Sequence, residues 1–351
     1  MATKRILLLS NLPTPYQLDY LEQLSQLAEV RAVFLSSSEA NRDWTLSSRA
    51  WMRVLKDGDI VTKWNELLPE LAEFKPSHVI VGGYRLPLAN RLKLYCWQNS
   101  VQYYYWLEKP LPAEGIRAIL RSLVWRVTLP FSDGVLCIGS EAVQAYGKYA
   151  HKTFNLPYSI DISRYRVREP RMPEGVLRCL FVGQYIERKG VRELLEAFAS
   201  ISPGVAELTM VGSGDLLPLV EKFAGRNANI RNRGFVEPAA LAELFAAHDV
   251  FVLPSRHDGW AVVVAEAMAA ALPVVGTHMT GAFVDLVAPN GCGKECEVDA
   301  ETIRVSIEAY AAHPESVLSD GLLARQVLMT SPAEAGNAAR LLMHMLERQS
   351  N

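Results

Sequence analysis

The chain has 351 residues, half of them hydrophobic, and a formal net charge of -2. That length suits two domains with a core each, and the near-neutral charge gives no support for nucleic-acid binding. No apolar run approaches a membrane span, and five cysteines mostly isolated in apolar segments favour reduced thiols in a cytoplasmic protein.

Strand-like and helix-like segments alternate along the chain, as in α/β proteins with parallel sheets. The basic start Met1 to Arg5 leads into a short apolar run and then Asn11-Leu12-Pro13, which reads as a first strand rather than a signal peptide. In the first half, strands are predicted over 5–10, 30–35, 78–81, 101–105 and 134–138, with helices over 16–28, 64–74, 86–99 and 116–127. Residues 36–59 are more polar and predict a loop with a short hairpin, and 155–173, rich in Pro, Arg and Tyr, predict a linker. The alternation restarts with strands over 177–182, 206–211, 229–234, 250–253 and 273–276. Helices are predicted between them over 191–200, 216–224, 239–247 and 260–272. The tail from Glu301 is helical, with a last helix near 332–347.

The helix at 260–272, W-A-V-V-V-A-E-A-M-A-A-A-L, holds one ionisable residue, Glu266. A helix apolar all round is normally buried, and a buried carboxylate is costly unless something hydrogen-bonds it. Glu266 therefore either grips a polar ligand or pairs with a buried Arg or Lys. Just upstream, Pro254-Ser255-Arg256-His257-Asp258-Gly259 places a second carboxylate where a strand hands over to this helix, with Glu266 about two turns into it. A helix N-terminus offers unpaired N–H groups and a positive dipole end to a diphosphate, and two carboxylates can accept from sugar hydroxyls. Two other glycine-bearing loops follow strands of this half: Val182-Gly183-Gln184-Tyr185-Ile186-Glu187-Arg188-Lys189-Gly190 and Val211-Gly212-Ser213-Gly214-Asp215. Arg188 and Lys189 supply cations at a helix start, suited to a diphosphate or equally to solvent. Each loop alone is a weak signal; the three in this order are more specific.

On these residues the chain resembles the retaining glycosyltransferases of family 4. F-V-G-Q-Y-I-E-R-K-G-V-R-E-L-L-E-A-F is similar to that family's first donor-domain loop and helix. P-S-R-H-D-G-W-A-V-V-V-A-E-A-M-A-A-A-L-P-V-V is similar to its E-x7-E region, with Asp258 and Glu266 at the two acids. The resemblance is strong over 177–286 and loose in the first half, through Pro13-x-Pro15-Tyr16 and Pro157-Tyr158-x-Ile160-Asp161. It implies a GT-B fold: two facing Rossmann-like domains with a cleft between them. Residues 1–160 would form the acceptor-side domain and 161–331 the nucleotide-sugar donor domain, with the helix at about 332–351 packing back on the first.

Carried over by position, Glu266 would hold ribose hydroxyls, Asp258 donor-hexose hydroxyls, and Lys189 the diphosphate, aided by backbone N–H groups near Gly259, Trp260 and Ala261. Gly183, Gln184 and Arg188 would line the first loop; Gly212, Gly214, Arg233 and Phe235 would flank the base; His257 abuts the donor or faces solvent. Four positions depart from the family pattern. Asp258 stands for a usual Glu, Gln184 for a usual Arg that Arg188 could replace, and Ala261 for a common Gly, crowding the sugar pocket by a methyl. Ala271 replaces another Gly, a packing matter.

The implied reaction moves a sugar from a nucleoside diphosphate to a hydroxyl of a glycan or lipid-linked acceptor with retention, as in cell-surface polysaccharide or glycoconjugate synthesis. Lys189 and the helix N-terminus would stabilise the leaving diphosphate, so no metal or other cofactor is required. Cys292 and Cys296 lack the ligands to complete a metal site, and Asp57-Gly58-Asp59 reads better as a turn than as a metal-binding D-x-D. No nucleophile pairs with Asp258 or Glu266 as in retaining hydrolases, so front-side attack fits. Glu108, in W-L-E-K-P, is the first-half polar candidate, alternatively a surface loop glutamate; Asn11 to Tyr16 and Gly82-Gly83-Tyr84 follow strands as acceptor-side candidates or turns. The stretch 116–126 is basic and amphipathic, with Arg117 and Arg121 on one face. With Lys109, Trp106 and Tyr103 to Tyr105 nearby, it suits peripheral docking on an anionic membrane at the inner face, or is an ordinary domain helix. Two rival readings are a non-hydrolysing nucleotide-sugar epimerase, which would consume donor without acceptor, and a nucleotide-sugar-binding protein that lost catalysis.

Overall fold

A computed structural model of the chain describes residues 3–37, 49–83, 88–167, 173 and 175–348. Two compact units emerge: Met1–Ser159 with Ala335–Asn351, and Ile160–Glu334.

The first unit runs β1 (Arg5–Ser10), α1 (Pro15–Ser25), β2 (Glu29–Phe34), β3 (Met52–Val54), α2 (Ile60–Phe74), β4 (His78–Val81), α3 (Ala89–Gln98), β5 (Gln102–Glu108), α4 (Gly115–Thr128), β6 (Gly134–Ile138), α5 (Ser140–Tyr146) and β7 (Thr153–Asn155). Its sheet has the order β3-β2-β1-β4-β5-β6-β7. Both faces are covered by helices, so the strands are near-continuous apolar runs such as Ile-Leu-Leu-Leu in β1. One side packs Leu7, Leu9, Val79 and Val81 against Leu67, Leu71, Leu92 and Trp125.

The second unit runs β8 (Leu177–Val182), α6 (Val191–Ser200), β9 (Ala206–Val211), α7 (Leu217–Ala224), β10 (Ile230–Asn232), α8 (Pro238–Ala247), β11 (Val250–Leu253), α9 (Val262–Ala269), β12 (Val274–Gly276), β13 (Gly293–Glu295), α10 (Ala300–Ala312) and α11 (Pro314–Thr330). Its sheet order is β10-β9-β8-β11-β12-β13, the doubly wound arrangement whose order reverses between β8 and β11. The last helix, α12 (Ala335–Arg348), packs on α1 in the first unit.

Every strand pairing in the described residues is parallel. Of the stretch 36–59, expected to hold a loop and a short hairpin, the described part contributes β3, which joins the sheet parallel to β2 through Ala32↔Met52 and Phe34↔Val54. The intervening 38–48 lie outside the described residues. The expected linker is also partly built into the fold. Leu156 is buried and its carbonyl accepts from the Trp106 indole at 2.8 Å, Ile160 bridges to Glu334, and Tyr165 is buried. Three elements have no counterpart in the sequence prediction, α5, β7 and β13, because all are short and β13, Gly-Lys-Glu, has no apolar period.

Candidate functional site

The switch point of the second sheet lies between β8 and β11, and the loops leaving these strands carry most of the residues singled out by sequence. Close backbone approach locks the loops together. Gly190 has φ +67°, and a Cβ there would lie 2.0 Å from the Pro254 carbonyl oxygen. Gly212, at φ +145°, would place one 1.9 Å from the Gly183 carbonyl oxygen, and Gly214 one 2.7 Å from that of Tyr185. Only glycine fits these contacts. The Gly183 N–H donates to Val211, Gly212 N–H to Gly234, and Tyr185 N–H to Ser213, which ties the three rims into one body. The β11 loop is pinned from its other side: Asp258 N–H donates to Met279, Gly281 N–H to Asp258, and Ala282 N–H to Trp260.

Within this frame Lys189 and Asp258 form an ion pair, both mostly buried. Lys189 ends a 3-10 turn, Glu187–Lys189, that precedes α6. The adjacent Arg188 donates to the His257 carbonyl at 2.7 Å and stands 3.7 Å from the Asp258 carboxylate. The two cations assigned to a diphosphate thus converge on the carboxylate assigned to the sugar. Lys189 is not a solvated helix-start lysine, because Asp258 and its burial against the loops hold it.

Glu266 is the fifth residue of α9; the helix starts at Val262 and not at Trp260, so Glu266 lies little more than one turn into it rather than about two. Its Oε1 accepts from the Tyr165 hydroxyl at 2.8 Å. Tyr165 packs edge-on to Phe245, with ring centroids 6.1 Å apart. One partner of Glu266 is thus a tyrosine from the stretch expected to be a linker. Nothing in the local sequence of either residue signals this contact, because it joins positions 101 apart.

Helices α1, α2 and α10 are capped by the side chains of Thr14, Asp59 and Asp299, whereas α9 has no side-chain cap. The N–H groups of Val262 and Val263 start the helix, where no intrahelical acceptor is available, while Val264 N–H donates to the Ala261 carbonyl at 3.0 Å. Its cap residue is Ala261 at φ +64°, and Ala271 after the helix has φ +61°. Both replace glycines of the resembled family at positions where glycine is favoured by backbone conformation. For Ala271 this corrects the packing explanation: the left-handed backbone is the larger consequence. The buried Ser255 Oγ, Trp260 Nε1 and Thr280 Oγ1 find no hydrogen-bond partner among the described residues.

The remaining second-unit candidates sit on the same rims. Gln184 and Gly183 are half-buried, Arg233 is exposed with its N–H donating to Met210, and the Phe235 ring is exposed. Trp260 is buried. Gly259 and His257 are half-buried.

Glu108 lies in the first unit, at the carboxyl end of β5. Its carbonyl accepts from the Tyr146 hydroxyl at 2.9 Å. Tyr158 stands 4.6 Å from Tyr16 and 5.3 Å from Trp106 between ring centroids. Burial, reinforced by the Glu108 charge, pushes its phenol well above the ordinary range. In the sequence Tyr158 stands out only within the Pro157-Tyr158-x-Ile160-Asp161 motif. Asp57-Gly58-Asp59 leads into α2, which Asp59 caps by accepting from Thr62 N–H at 2.8 Å. Among the described residues no group of three or more His, Cys, Asp or Glu could hold a metal. All five cysteines are buried and free, and burial raises Cys96, Cys137 and Cys296 to about 12 and Cys292 to about 11.

Residues 177–320 match the family model described as glycosyl transferases group 1. An uncharacterized glycosyltransferase of Methanocaldococcus jannaschii is 35% identical over 106 residues, 29% of this chain and 27% of that protein. The lipopolysaccharide core biosynthesis glycosyltransferase LpsE of Rhizobium meliloti is 35% identical over 103 residues, 28% of this chain and 29% of its own length. The matched stretch thus spans less than a third of these curated relatives. Among solved structures, Anabaena HepE in complex with UDP superposes with a TM-score of 0.77 at 15% identity, covering 98% of this chain and all of that one. With two Rossmann-like α/β domains, each built on a parallel sheet, the chain has the GT-B fold, and its second domain is related to glycosyl transferases group 1.

Proposed function

We propose that the chain is a glycosyltransferase that takes a sugar from a nucleoside-diphosphate donor held by the second domain. The observation that carries this is the convergence of Lys189 and Arg188 on Asp258, in the loop that leads into the uncapped start of α9 at the switch point of the sheet. In this reading Glu266, steadied by Tyr165, accepts from the ribose hydroxyls. Asp258 exchanges Lys189 for hydroxyls of the sugar, and Lys189 turns to the diphosphate beside the first-turn N–H groups of α9. Gly212, Gly214, Arg233 and Phe235 flank the base; Gly183 and Gln184 form the floor of the first loop, and His257, Gly259, Trp260 and Ala261 the wall opposite.

The reaction retains the anomeric configuration. The bond from the anomeric carbon to the diphosphate oxygen breaks, the acceptor oxygen bonds on the same face, and the departing phosphate takes the acceptor proton. The cations and helix terminus stabilise the charge that develops on the diphosphate, which removes the need for a metal. Glu108, with Tyr158 and Tyr16, is the acceptor-side candidate in the first domain. The acceptor is a hydroxyl of a glycan or lipid-linked molecule in cell-surface glycoconjugate synthesis, and the enzyme works at the cytoplasmic face of a membrane.

A thermal-shift screen against UDP, GDP, dTDP, ADP and their sugar conjugates tests the donor site. One nucleotide should raise the melting temperature with or without chelator. Glu266→Ala should weaken that nucleotide roughly 10- to 100-fold through loss of hydrogen bonds to a charged group. No shift with any nucleotide would refute the donor reading.

A further inference from the structure

The first domain exposes an apolar surface that the proposed chemistry does not use. On α4, Ile116, Ile119, Leu120, Leu123 and Val127 follow helical spacing along one face and are 53% to 72% exposed. The only buried residue of α4 is Trp125, which points the opposite way and packs against Tyr146 and Tyr149 at 4.9 and 5.4 Å between ring centroids. Helical geometry puts Arg117 about 100° to one side of Ile116 and Arg126 about 80° to the other. The apolar stripe is therefore flanked by cations on both edges. The surface continues through Phe131, 71% exposed in the 3-10 turn after α4, and through Trp97 and Leu94 of α3, 79% and 54% exposed. Lys93 of α3 stands 5.8 Å from the Phe131 ring centroid and joins these elements.

We infer that this face, made by α3, α4 and the turn at Leu129–Phe131, docks on an anionic lipid bilayer, with α4 lying in the plane of the interface. Charge selects this occupant. Neither α3 nor α4 carries an acidic residue. Together with the turn at Leu129–Phe131 they hold five cations (Arg91, Lys93, Arg117, Arg121, Arg126) in a chain of net charge -2. An apolar stripe bordered by arginines, whose stems lie on hydrocarbon while their heads reach phosphates, matches an interfacial helix. The docking residues differ from those the sequence suggested. Tyr103 to Trp106 are buried in β5, Lys109 pairs with Glu141, and Arg121 turns inward, its guanidinium 4.9 Å from the Trp125 ring centroid. The surface stands on the first domain's own residues; its use in bringing the enzyme to a lipid-linked acceptor rests on the function proposed above.

Co-sedimentation of the full chain with phosphatidylcholine vesicles, with and without phosphatidylglycerol, tests the surface separately from donor binding. The protein should pellet with the anionic vesicles at low salt and be released by high salt. Ile119→Asp with Leu123→Asp should abolish binding while leaving the melting temperature in place, since both side chains are exposed. Arg117→Ser and Arg126→Ser should each weaken it roughly 5-fold. The inference is overturned if the wild-type chain stays in the supernatant, or if the double Asp variant pellets equally. It is also overturned if light scattering finds a dimer that the same substitutions disperse, which would make the face a self-interface.

Discussion

Gly190→Ala isolates the contact that holds the two cation- and carboxylate-bearing loops together. Its control is Gly291→Ala in the same domain. The two glycines have nearly the same backbone, φ +67° and +64°, but a Cβ at Gly291 meets nothing within 4 Å while one at Gly190 lies 2.0 Å from the Pro254 carbonyl oxygen. A left-handed alanine costs about 1–2 kcal/mol, of which about 0.4–1 is recovered because alanine restricts the unfolded chain. Gly291→Ala should therefore destabilise by about 0.5–1 kcal/mol. Gly190→Ala bears that cost and must also push Pro254 away by more than an ångström, an overpacking term of about 1–3 kcal/mol. The expected total is about 2–4 kcal/mol, measured by urea unfolding of both variants. Pro254 leads into the segment bearing Asp258, so nucleotide binding should weaken in Gly190→Ala and stay intact in Gly291→Ala. If the two variants unfold within about 0.5 kcal/mol of one another, the close approach of the loops is not holding the site.

The ion pair should respond asymmetrically. Lys189→Met leaves Asp258 with Arg188 at 3.7 Å and should cost about 1–2 kcal/mol, whereas Asp258→Asn leaves two cations facing each other and should cost about 2–4 kcal/mol; equal melting temperatures would contradict the arrangement. Tyr165→Phe removes a hydrogen bond to a carboxylate, and nucleotide affinity by calorimetry should fall roughly 5- to 15-fold; an unchanged affinity would make Tyr165 a packing residue only. His78 should set part of the acid sensitivity. Burial, with Lys4 adding to it, lowers its imidazole from 6.5 to about 4. The unfolded chain takes up that proton first, so the stabilisation is complete above pH 6.5 and is lost as the pH falls toward 4. The full shift corresponds to about 3 kcal/mol, or about 2 kcal/mol after solvent screening. His78→Gln should flatten the wild-type decline over that window in pH-dependent unfolding, and parallel curves would refute the assignment.

Sequence alone determined the alternation of strand and helix, because buried parallel strands are continuous apolar runs and their helices keep a 3.6-residue period. Strands β1, β4, β6, β8, β9 and β11 fall where those runs predict them. The loops at Gly183, Gly212 and Asp258 were legible because glycines and charges between such elements stand out locally. What lay outside local pattern was left to tertiary structure. The β3 pairing, the Tyr165 hydroxyl on Glu266 and the Lys189–Asp258 pair each join distant positions, and no residue announces its partner across such a separation. The exposure of the α4 stripe was equally hidden: an amphipathic period says that one face is apolar, and only packing decided that Trp125 turns inward while Ile116, Leu120 and Leu123 turn out. The left-handed backbones of Ala261 and Ala271 were invisible for a related reason, since alanine fits a helix equally well and the surrounding fold imposes the strain.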